Sequence, residues 1–398
     1  MPRRILTQDA RTRMRTLVLT EFFLPAVGGS IHWLINTYSR YDPSEVLLVA
    51  PRCAGAALAD QQLGFPVVRI PMTMADWDPT VPRSFAQYIR ALWHVRTLCK
   101  TQGIRQIHCA KVLPEGCIAW SMQRLTAIPY LIYAHGEEIL IALSSRKLAW
   151  LLPRIYNAAS AVIANSGHTK ALLESIGVQA AKIHVIHPGV QVSLLQASEA
   201  LIQRIRHRHH LKDTRVLLTV GRLQRRKGHD TVIQALPTIR QAIPNIAYVI
   251  VGDGEEYTYL TQMAEACGVA DCVIFAGRVP AEELAAYYAA CEVFIMANRQ
   301  IGHDIEGFGM VYLEAGAAGR PVIGGISGGT DDAILDEITG LRIDGTRVDA
   351  VAQAVVTLLE TPAMAIAMGE AGRHRVAEEF SWESVVERTR SVACQLTR

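Results

Sequence analysis

The sequence lacks long hydrophobic runs, a strong excess of either charge, and the paired cysteines of metal or redox motifs. No apolar run is long enough to cross a bilayer, and the first residues lack the apolar core of a secretion signal. Lys and Arg total 40 against 37 Asp and Glu, so the charge gives no general reason to expect nucleic acid as a partner. None of the eight cysteines forms a C-x-x-C pair, which favours reduced, buried thiols over a disulfide framework. We therefore expect a cytoplasmic protein, either soluble or peripheral to a membrane.

Apolar residues are abundant: 50% of the 398 residues are hydrophobic and only 19% are charged, enough to bury two cores. Short β-rich runs alternate with helical patterns in two series, which predicts two doubly wound α/β units with parallel sheets. The first series comprises residues 17–20, 46–50, 107–110, 131–134, 162–164 and 183–186, and the second comprises 216–220, 247–251, 273–275, 293–296, 322–323 and 341–343.

The two series meet near residues 187–190, where the turn sequence His-Pro-Gly-Val precedes a polar helical stretch at 196–212. We predict an N-terminal domain over residues 1–190, a C-terminal domain over 191–375 and a final segment over 376–398. Residues 1–14 are predicted to be an arginine-bearing arm without assignable structure.

Glu306 and Glu314 lie eight positions apart around a glycine-rich turn that leads into a predicted helix. A helix start offers unpaired N–H groups and a positive dipole, which suit a diphosphate. Glu306 can accept hydrogen bonds from one sugar, and Glu314, about two helical turns along, from another. The predicted backbone contacts are Gly307, Phe308, Gly309, Met310 and Val311. The pattern predicts a sugar-nucleotide site, although in isolation an ordinary loop and helix would also fit.

Two other loops have the composition of ligand sites. Gly28 and Gly29 open the helix around residues 33–38, where a tight turn is the alternative. Arg222 and Lys227 follow the strand at 216–220, at the usual ligand edge of such a sheet. Two cations there can neutralise a diphosphate leaving group, with a solvated basic loop as the alternative.

Three further features are less specific. Gly252 belongs to a glycine turn that lacks a full dinucleotide fingerprint, because Tyr257 stands where a further glycine would be required. Arg278 and Val279 follow a strand and can present backbone groups to a nucleobase, or form a plain turn. His135 ends another strand and can bond a substrate hydroxyl, although a structural role is the commoner one.

Two basic stretches have ordinary interpretations as well as functional ones. The histidines at 207, 209 and 210 do not match a zinc signature, which favours a solvated helix face over a metal site. Residues 83–100 combine apolar positions at helical spacing with Arg83, Arg90, Arg96 and Lys100. Such a helix either contacts anionic lipid or packs within a domain.

Taken together, these segments resemble the retaining glycosyltransferases of family 4. The resemblance depends on Gly28-Gly29, His135-Gly136, Gly221-Arg222 with Lys227-Gly228, Gly252-Asp253-Gly254 and the 306–314 segment, and it runs from about residue 15 to the end. Arg299, Asp304-Ile305-Glu306-Gly307 and Ser327-Gly328-Gly329 also resemble the GDP-mannose-dependent phosphatidylinositol mannoside mannosyltransferases. The chain departs from the family at Thr330-Asp331-Asp332, where proline and glutamate are common, and at Pro188-Gly189-Val190-Gln191 in place of Asn-Gly-Val-Asp.

The resemblance implies a GT-B fold, in which two Rossmann-like doubly wound domains face each other across a cleft and residues 376–398 form a helix that crosses back to the first domain. It implies that Arg222 and Lys227 hold the diphosphate, Glu306 the donor sugar, Glu314 the ribose and His135 a donor hydroxyl near the reacting carbon. Phe380-Ser381-Trp382 is similar to the family's start of that final helix.

The implied activity is transfer of a hexose from a nucleotide diphosphate sugar, first of all mannose from GDP-mannose, to an acceptor hydroxyl with retention at the anomeric carbon. The acceptor is expected to be lipid-linked or a saccharide, in glycolipid or polysaccharide synthesis, with no metal or other cofactor. The alternatives are a GT-B nucleotide-sugar epimerase and a non-catalytic nucleotide-sugar-binding protein. An NAD oxidoreductase ranks below both because of Tyr257.

Overall fold

The computed structural model describes residues 15–26, 28–72, 82–191 and 196–396, with the backbone alone at 82–84 and 142. The predicted arm at 1–14 lies outside this range. The described chain divides into two compact units. Unit 1 contains the described residues up to Asn165, together with Lys170–Ile186 and those from Val385 onward; unit 2 contains Ser166–Thr169 and His187–Ser384.

Unit 1 contains a seven-stranded parallel sheet in the order β3-β2-β1-β4-β5-β6-β7. Its strands are β1 (Arg15–Leu19), β2 (Val46–Pro51), β3 (Val67–Ile70), β4 (Ile104–Cys109), β5 (Tyr130–Ala134), β6 (Ala161–Ala164) and β7 (Ile183–Val185). The helices between them are α1 (Gly29–Tyr38), α2 (Ala56–Asp60), α3 (Pro82–Gln102), α4 (Cys117–Thr126), α5 (Glu137–Leu143), α6 (Arg146–Ala158) and α7 (Gly167–Ser175), whose residues up to Thr169 belong to unit 2.

Unit 2 contains a six-stranded parallel sheet in the order β10-β9-β8-β11-β12-β13. Its strands are β8 (Arg215–Val220), β9 (Ile246–Val251), β10 (Val273–Gly277), β11 (Val293–Met296), β12 (Val322–Gly325) and β13 (Gly340–Ile343). Its helices are α8 (Glu199–Arg208), α9 (His229–Ala242), α10 (Tyr257–Ala266), α11 (Ala281–Ala290), α12 (Met310–Ala317), α13 (Thr330–Ala333), α14 (Val348–Glu360) and α15 (Pro362–Glu379), followed by α16 (Trp382–Gln395), whose residues from Val385 onward belong to unit 1.

The strands are apolar along almost their whole length because parallel sheets with helices on both faces are buried on both sides. In β8, Val216, Leu218 and Val220 belong to one core cluster of unit 2. Leu217, between them, belongs to a second cluster with Tyr248 and Ile250. Alternate residues of one strand therefore fill the two layers, as the period of a β-strand requires.

The predicted doubly wound α/β architecture is confirmed, and every strand of the two predicted series is present. The strand β3, which has four residues and lies at one end of the first sheet, was not predicted. Its apolar run is interrupted by Arg69, whose side chain pairs with Asp60 at 2.6 Å, so it does not resemble a buried strand. The helical patterns predicted near residues 33–38, 83–100 and 196–212 correspond to α1, α3 and α8.

No single described helix is both long and apolar enough to cross a membrane. Among the helices that the structure describes, only α14 and α15 together reach that length and composition, and they are bent by 97° relative to each other.

Candidate active site

The candidate site lies at the carboxyl end of the unit 2 sheet, where β8 and β11 are neighbours. The chain leaves these two strands in opposite directions across the sheet, toward β9 and toward β12. In open α/β sheets, the loops at such a switch point form the usual ligand crevice. Here those loops are residues 221–228, after β8, and residues 297–309, after β11.

Glu306 is the centre of a cluster of charges that is largely, but not completely, buried. Its Oε2 accepts from Lys227 Nζ at 2.5 Å and from Arg226 Nη1 at 2.6 Å. Arg226 Nε also lies 2.8 Å from Asp304 Oδ1. Burial alone would raise the pKa of Glu306, but Lys227 and Arg226 outweigh it and lower that pKa to about 2. Glu306 is therefore a carboxylate, although its side chain is only 12% exposed.

The turn that carries the two cations is fixed by Gly228. Its backbone is left-handed, with φ +74°, and a Cβ there would lie 1.9 Å from the carbonyl oxygen of Ala297. Only glycine combines this conformation with so close a backbone approach. The residue before it, Lys227, is thereby kept beside the end of β11 and within reach of Glu306.

Arg299 attaches the same turn to the loop after β11. Its guanidinium donates to both carboxylate oxygens of Asp230, at 2.8 and 2.5 Å, and to Thr231 Oγ1 at 2.7 Å. Its backbone N–H donates to the carbonyl of Arg226 at 2.8 Å. Bidentate Arg–carboxylate pairs restrict orientation as well as distance. Arg299 thus positions the segment that contains Arg226 and Lys227.

A buried polar network lies beneath this turn. The imidazole of His229 contacts the Arg222 carbonyl through Nε2 at 3.3 Å and the Tyr248 hydroxyl through Nδ1 at 3.2 Å. The Tyr248 hydroxyl also contacts Thr219 Oγ1 at 2.7 Å. Burial lowers the pKa of His229 to about 4, so the ring is neutral and connects one donor with one acceptor.

The predicted glycine-rich turn does lead into a helix, α12, which begins at Met310 after Gly309. Gly309 has φ +89°. The Tyr312 N–H donates to the Gly309 carbonyl at 3.0 Å, whereas the N–H groups that come before it at a helix start have no intrahelical partner. Phe308 is buried and its ring stacks on His187 at 5.1 Å, so only its backbone can serve a ligand. The carbonyl of Glu306 accepts from the Gly329 N–H at 3.0 Å, which connects the Ser327-Gly328-Gly329 segment to the site.

Glu314 lies on α12, and its Oε2 accepts from the hydroxyl of Tyr288 at 2.6 Å. Tyr288 belongs to α11 and is completely buried. Tyr288 was not among the residues predicted to form the site.

The structure brings Lys227, but not Arg222, to Glu306. The Arg222 side chain is 64% exposed and pairs with Glu255 at 3.3 Å. The cation that joins Lys227 is Arg226, which the sequence analysis missed. The only signal for it was its place in the run Arg225-Arg226-Lys227, and a run of cations does not indicate which of them turns inward.

The other predicted residues of unit 2 lie at the ends of β9 and β10. The N–H of Gly252 donates to the carbonyl of Gly277 at 2.8 Å. Arg278 is exposed and pairs with Asp253 at 2.7 Å, and Val279 packs, partly buried, against a core cluster. These residues share one edge of the sheet.

In unit 1, His135 follows β5 and is held on several sides. Its Nε2 lies 3.0 Å from the carbonyl of Ala110, and its backbone N–H donates to Glu138 Oε1 at 2.7 Å. The centroids of its ring and the Trp33 ring lie 5.6 Å apart in a T-shaped arrangement. Burial lowers its pKa, so the ring is neutral. Gly28 caps α1 in an extended conformation and Gly29 is its first residue.

Residues 40–194 match the family described as Glycosyltransferase Family 4, and residues 202–375 match Glycosyl transferases group 1. GDP-mannose-dependent alpha-(1-6)-phosphatidylinositol monomannoside mannosyltransferase from Mycolicibacterium smegmatis is 35% identical over 375 residues, which cover 92% of this chain and 95% of that protein. The chain belongs to glycosyltransferase family 4. The family 4 protein of the same name from Mycobacterium tuberculosis is 34% identical over 379 residues, 93% of this chain and 96% of that protein.

Solved structures agree on the fold of this family 4 enzyme. Anabaena Alr3699/HepE, solved in complex with UDP, superimposes with a TM-score of 0.82 at 19% identity, covering 96% of this chain and 100% of that one. Sucrose-phosphate synthase from Thermosynechococcus elongatus gives 0.79 at 22% identity, covering 96% and 99%. The fold is GT-B, built from two Rossmann-like units, and the predicted glycosyltransferase class is confirmed.

Proposed function

We propose that this family 4 enzyme transfers mannose from GDP-mannose to a hydroxyl group of a lipid-linked or saccharide acceptor, with retention at the anomeric carbon. The observation that carries the proposal is the contact of Lys227 and Arg226 with Glu306 at the switch point of the unit 2 sheet. The names of the relatives, 34–35% identical over at least 92% of the chain, support GDP-mannose as donor and a phosphatidylinositol mannoside as acceptor class.

Lys227, Arg222 and the start of α12 would hold the diphosphate. The ammonium group of Lys227 has three N–H donors and uses one for Glu306, so the others can reach phosphate oxygens. Arg222 pairs with Glu255 at an exposed position, where such pairs contribute little stability. A phosphate oxygen can replace that partner at low cost. The N–H groups of residues 309–311 add neutral donors and the helix dipole.

Glu306 and Glu314 would bind the two sugars of the donor. Glu306 is a carboxylate at any working pH, and its remaining lone pairs can accept from hexose hydroxyls. Arg226 already pairs with both Glu306 and Asp304, so its proposed role is to hold the Glu306 carboxylate in place. Glu314 would accept from the ribose.

Departure of the diphosphate concentrates negative charge on its oxygens, and donors fixed in advance stabilise that charge in the transition state. The acceptor hydroxyl would attack from the same face, and its proton would pass to the leaving phosphate. His135 would hold a donor hydroxyl near the reacting carbon. Because the cations come from the chain itself, we expect transfer to be independent of added metal.

A panel of nucleotide sugars tests the donor assignment. GDP-mannose should raise the melting temperature more than UDP-glucose, UDP-galactose or ADP-glucose, because specific binding stabilises the folded state. With an inositol phospholipid acceptor, labelled mannose should appear in the lipid fraction, with EDTA present or absent. Consumption of the donor without any acceptor would point to an epimerase, and no stabilisation by any member of the panel would overturn the assignment.

Helix α3 of unit 1 supports contact with an anionic membrane. Phe85, Ile89 and Trp93 recur every four residues and are 54%, 46% and 62% exposed. Arg96 and Lys100 are exposed on the same helical face. Apolar side chains flanked by cations suit the boundary between acyl chains and anionic headgroups. The enzyme would then act as a peripheral protein on the cytoplasmic face of a membrane, where a lipid-linked acceptor would be available.

Vesicle sedimentation tests this surface. The wild-type protein should sediment with vesicles that contain phosphatidylinositol more than with phosphatidylcholine alone, and Trp93→Ser should reduce that difference. Trp150→Ser is the matched control, because Trp150 is 60% exposed in the same unit but its ring is covered by Arg154 at 3.8 Å. Equal sedimentation of wild type and Trp93→Ser would remove the proposed contact.

A further inference from the structure

Tyr288 and Glu314 form a short hydrogen bond between two helices of unit 2. Tyr288 Oη donates to Glu314 Oε2 at 2.6 Å, and no other described group bonds this hydroxyl. Tyr288 is completely buried, whereas Glu314 is partly exposed. Phenylalanine would fill nearly the same volume as Tyr288. The hydroxyl therefore adds something that packing does not need, namely a hydrogen bond to the partly exposed carboxyl group of Glu314.

The ring of Tyr288 is fixed by its aromatic neighbours. Its centroid lies 5.8 Å from that of Phe294, and Phe294 in turn meets Tyr312 edge to face at 5.8 Å. Burial raises the pKa of Tyr288 well above its usual value, so the hydroxyl keeps its proton and acts as the donor. The protonated phenol therefore determines which group donates, and the packing of the ring against Phe294 determines where the hydroxyl lies.

Glu314 gains a defined orientation from this contact. A glutamate has three side-chain torsions and loses considerable entropy when a ligand must fix them. With Oε2 bonded to Tyr288, these torsions are restricted before any ligand binds. In the part of the chain that the structure describes, Oε1 has no hydrogen-bond partner, and it remains able to accept from a ligand hydroxyl.

We propose that Tyr288 is a positioning residue, whose hydroxyl holds Glu314 in the orientation that accepts a hydrogen bond from the ribose of the donor nucleotide. This inference rests on the proposed function, in which Glu314 binds the ribose. The reacting carbon belongs to the other sugar of the donor, so Tyr288 acts on affinity for the nucleotide and not on the chemical step.

The test is Tyr288→Phe, with binding of GDP, 2′-deoxy-GDP and 3′-deoxy-GDP measured by calorimetry well below the melting temperature of the variant. The wild type should bind GDP about tenfold more tightly than one of the two deoxy nucleotides, because that nucleotide lacks the hydroxyl that donates to the charged Glu314. In Tyr288→Phe, GDP should bind about tenfold more weakly and the preference should fall to nearly one. The kcat at saturating donor should change by less than about threefold, since uniform binding affects KM.

Two controls separate the possible failures. Tyr130→Phe removes a single buried phenol hydrogen bond in unit 1, to the carbonyl of Ile155 at 2.7 Å, and should keep the wild-type preference. A full preference in Tyr288→Phe would overturn the inference while leaving the ribose assignment intact. No preference in the wild type, with unchanged GDP affinity in Glu314→Gln, would instead overturn the assignment of Glu314 and with it the proposed function at that position.

Discussion

Each of the two sheets places a glutamate with little exposure at the same topological point, and the two glutamates have opposite surroundings. In unit 1, Glu115 follows β4 and its Oε1 accepts from the backbone N–H of Glu21, after β1, at 2.7 Å. In unit 2, Glu306 follows β11 and accepts from Arg226 and Lys227, after β8. Each carboxyl group thus joins the loops of the two strands at a switch point, one through a backbone amide and the other through two cations.

The partners decide the charge of each carboxyl group. Burial, the largest cause, and the nearby Glu21 raise the pKa of Glu115 to about 8. The pKa of Glu306 is lowered to about 2, as the two cations outweigh burial. At neutral pH the first is mainly a neutral acid and the second a carboxylate. One topology therefore holds a mainly neutral carboxyl group in unit 1 and a carboxylate between two cations in unit 2, and only the second arrangement brings paired cations to a diphosphate.

The largest loss of activity is expected when one of the two cations of unit 2 is removed. Lys227→Ala should reduce transfer by about 100- to 1,000-fold, because a fixed donor to the leaving group is lost. The fold should survive, since Arg226 still pairs with Glu306. Steady-state kinetics with circular dichroism measure the two effects. Lys212→Ala, an exposed lysine of the same unit, is the control, and wild-type turnover in Lys227→Ala would exclude the proposed diphosphate contact.

The two glutamates should influence stability with opposite dependence on pH. Glu306 has a folded pKa below its ordinary value of 4.5, so it contributes stability above pH 4.5 that is lost as the pH falls toward 2. The pKa of Glu115 is raised in the folded protein, so the stability that its protonated form contributes below pH 4.5 is lost as the pH rises toward 8. Urea denaturation measures both dependences, with Glu306→Gln followed from about pH 2 to 5 and Glu115→Gln from about pH 4 to 8, the ranges that these pKa values span.

Relative to the wild type, Glu115→Gln should gain about 4 kcal/mol of stability as the pH rises from 4 to 8, because glutamine keeps the acceptor without the charge. Glu306→Gln should be less stable than the wild type at neutral pH, since it leaves two buried cations without their carboxylate. Parallel pH profiles for the two variants would contradict the contrast.

A smaller effect should follow from loosening the turn that presents the cations. Arg299→Lys cannot reproduce the bidentate contact with Asp230 and should lower kcat/KM for the donor by about tenfold. Arg240→Lys is the matched control, because Arg240 makes a bidentate contact with Asp271 at an exposed position. Equal loss in both variants would mean that Arg299 supports the fold in general and not the site.

The sequence predicted the architecture well because parallel strands buried on both faces leave continuous apolar runs. It missed β3 since Arg69, paired with Asp60, interrupts the run. In the site, two acidic residues at fixed spacing around a glycine-rich turn indicated Glu306 and Glu314, and the place of Lys227 after a predicted strand indicated that lysine. Arg226 could not be separated from its basic neighbours, because the inward direction of one side chain depends on the turn at Gly228. Tyr288 lies 26 residues before Glu314, so their contact is set by the packing of α11 and α12 and not by local spacing.

Unit 1 takes residues from two distant parts of the chain. In α16, Arg390 contacts Glu45 at 3.5 Å and Arg388 donates to the carbonyl of Val185 at 2.6 Å. On the ribosome, the residues of the first sheet emerge early, but this surface stays uncovered until all of unit 2 has been synthesised. The portion made first is thus completed last, which leaves it open to chaperones for most of translation.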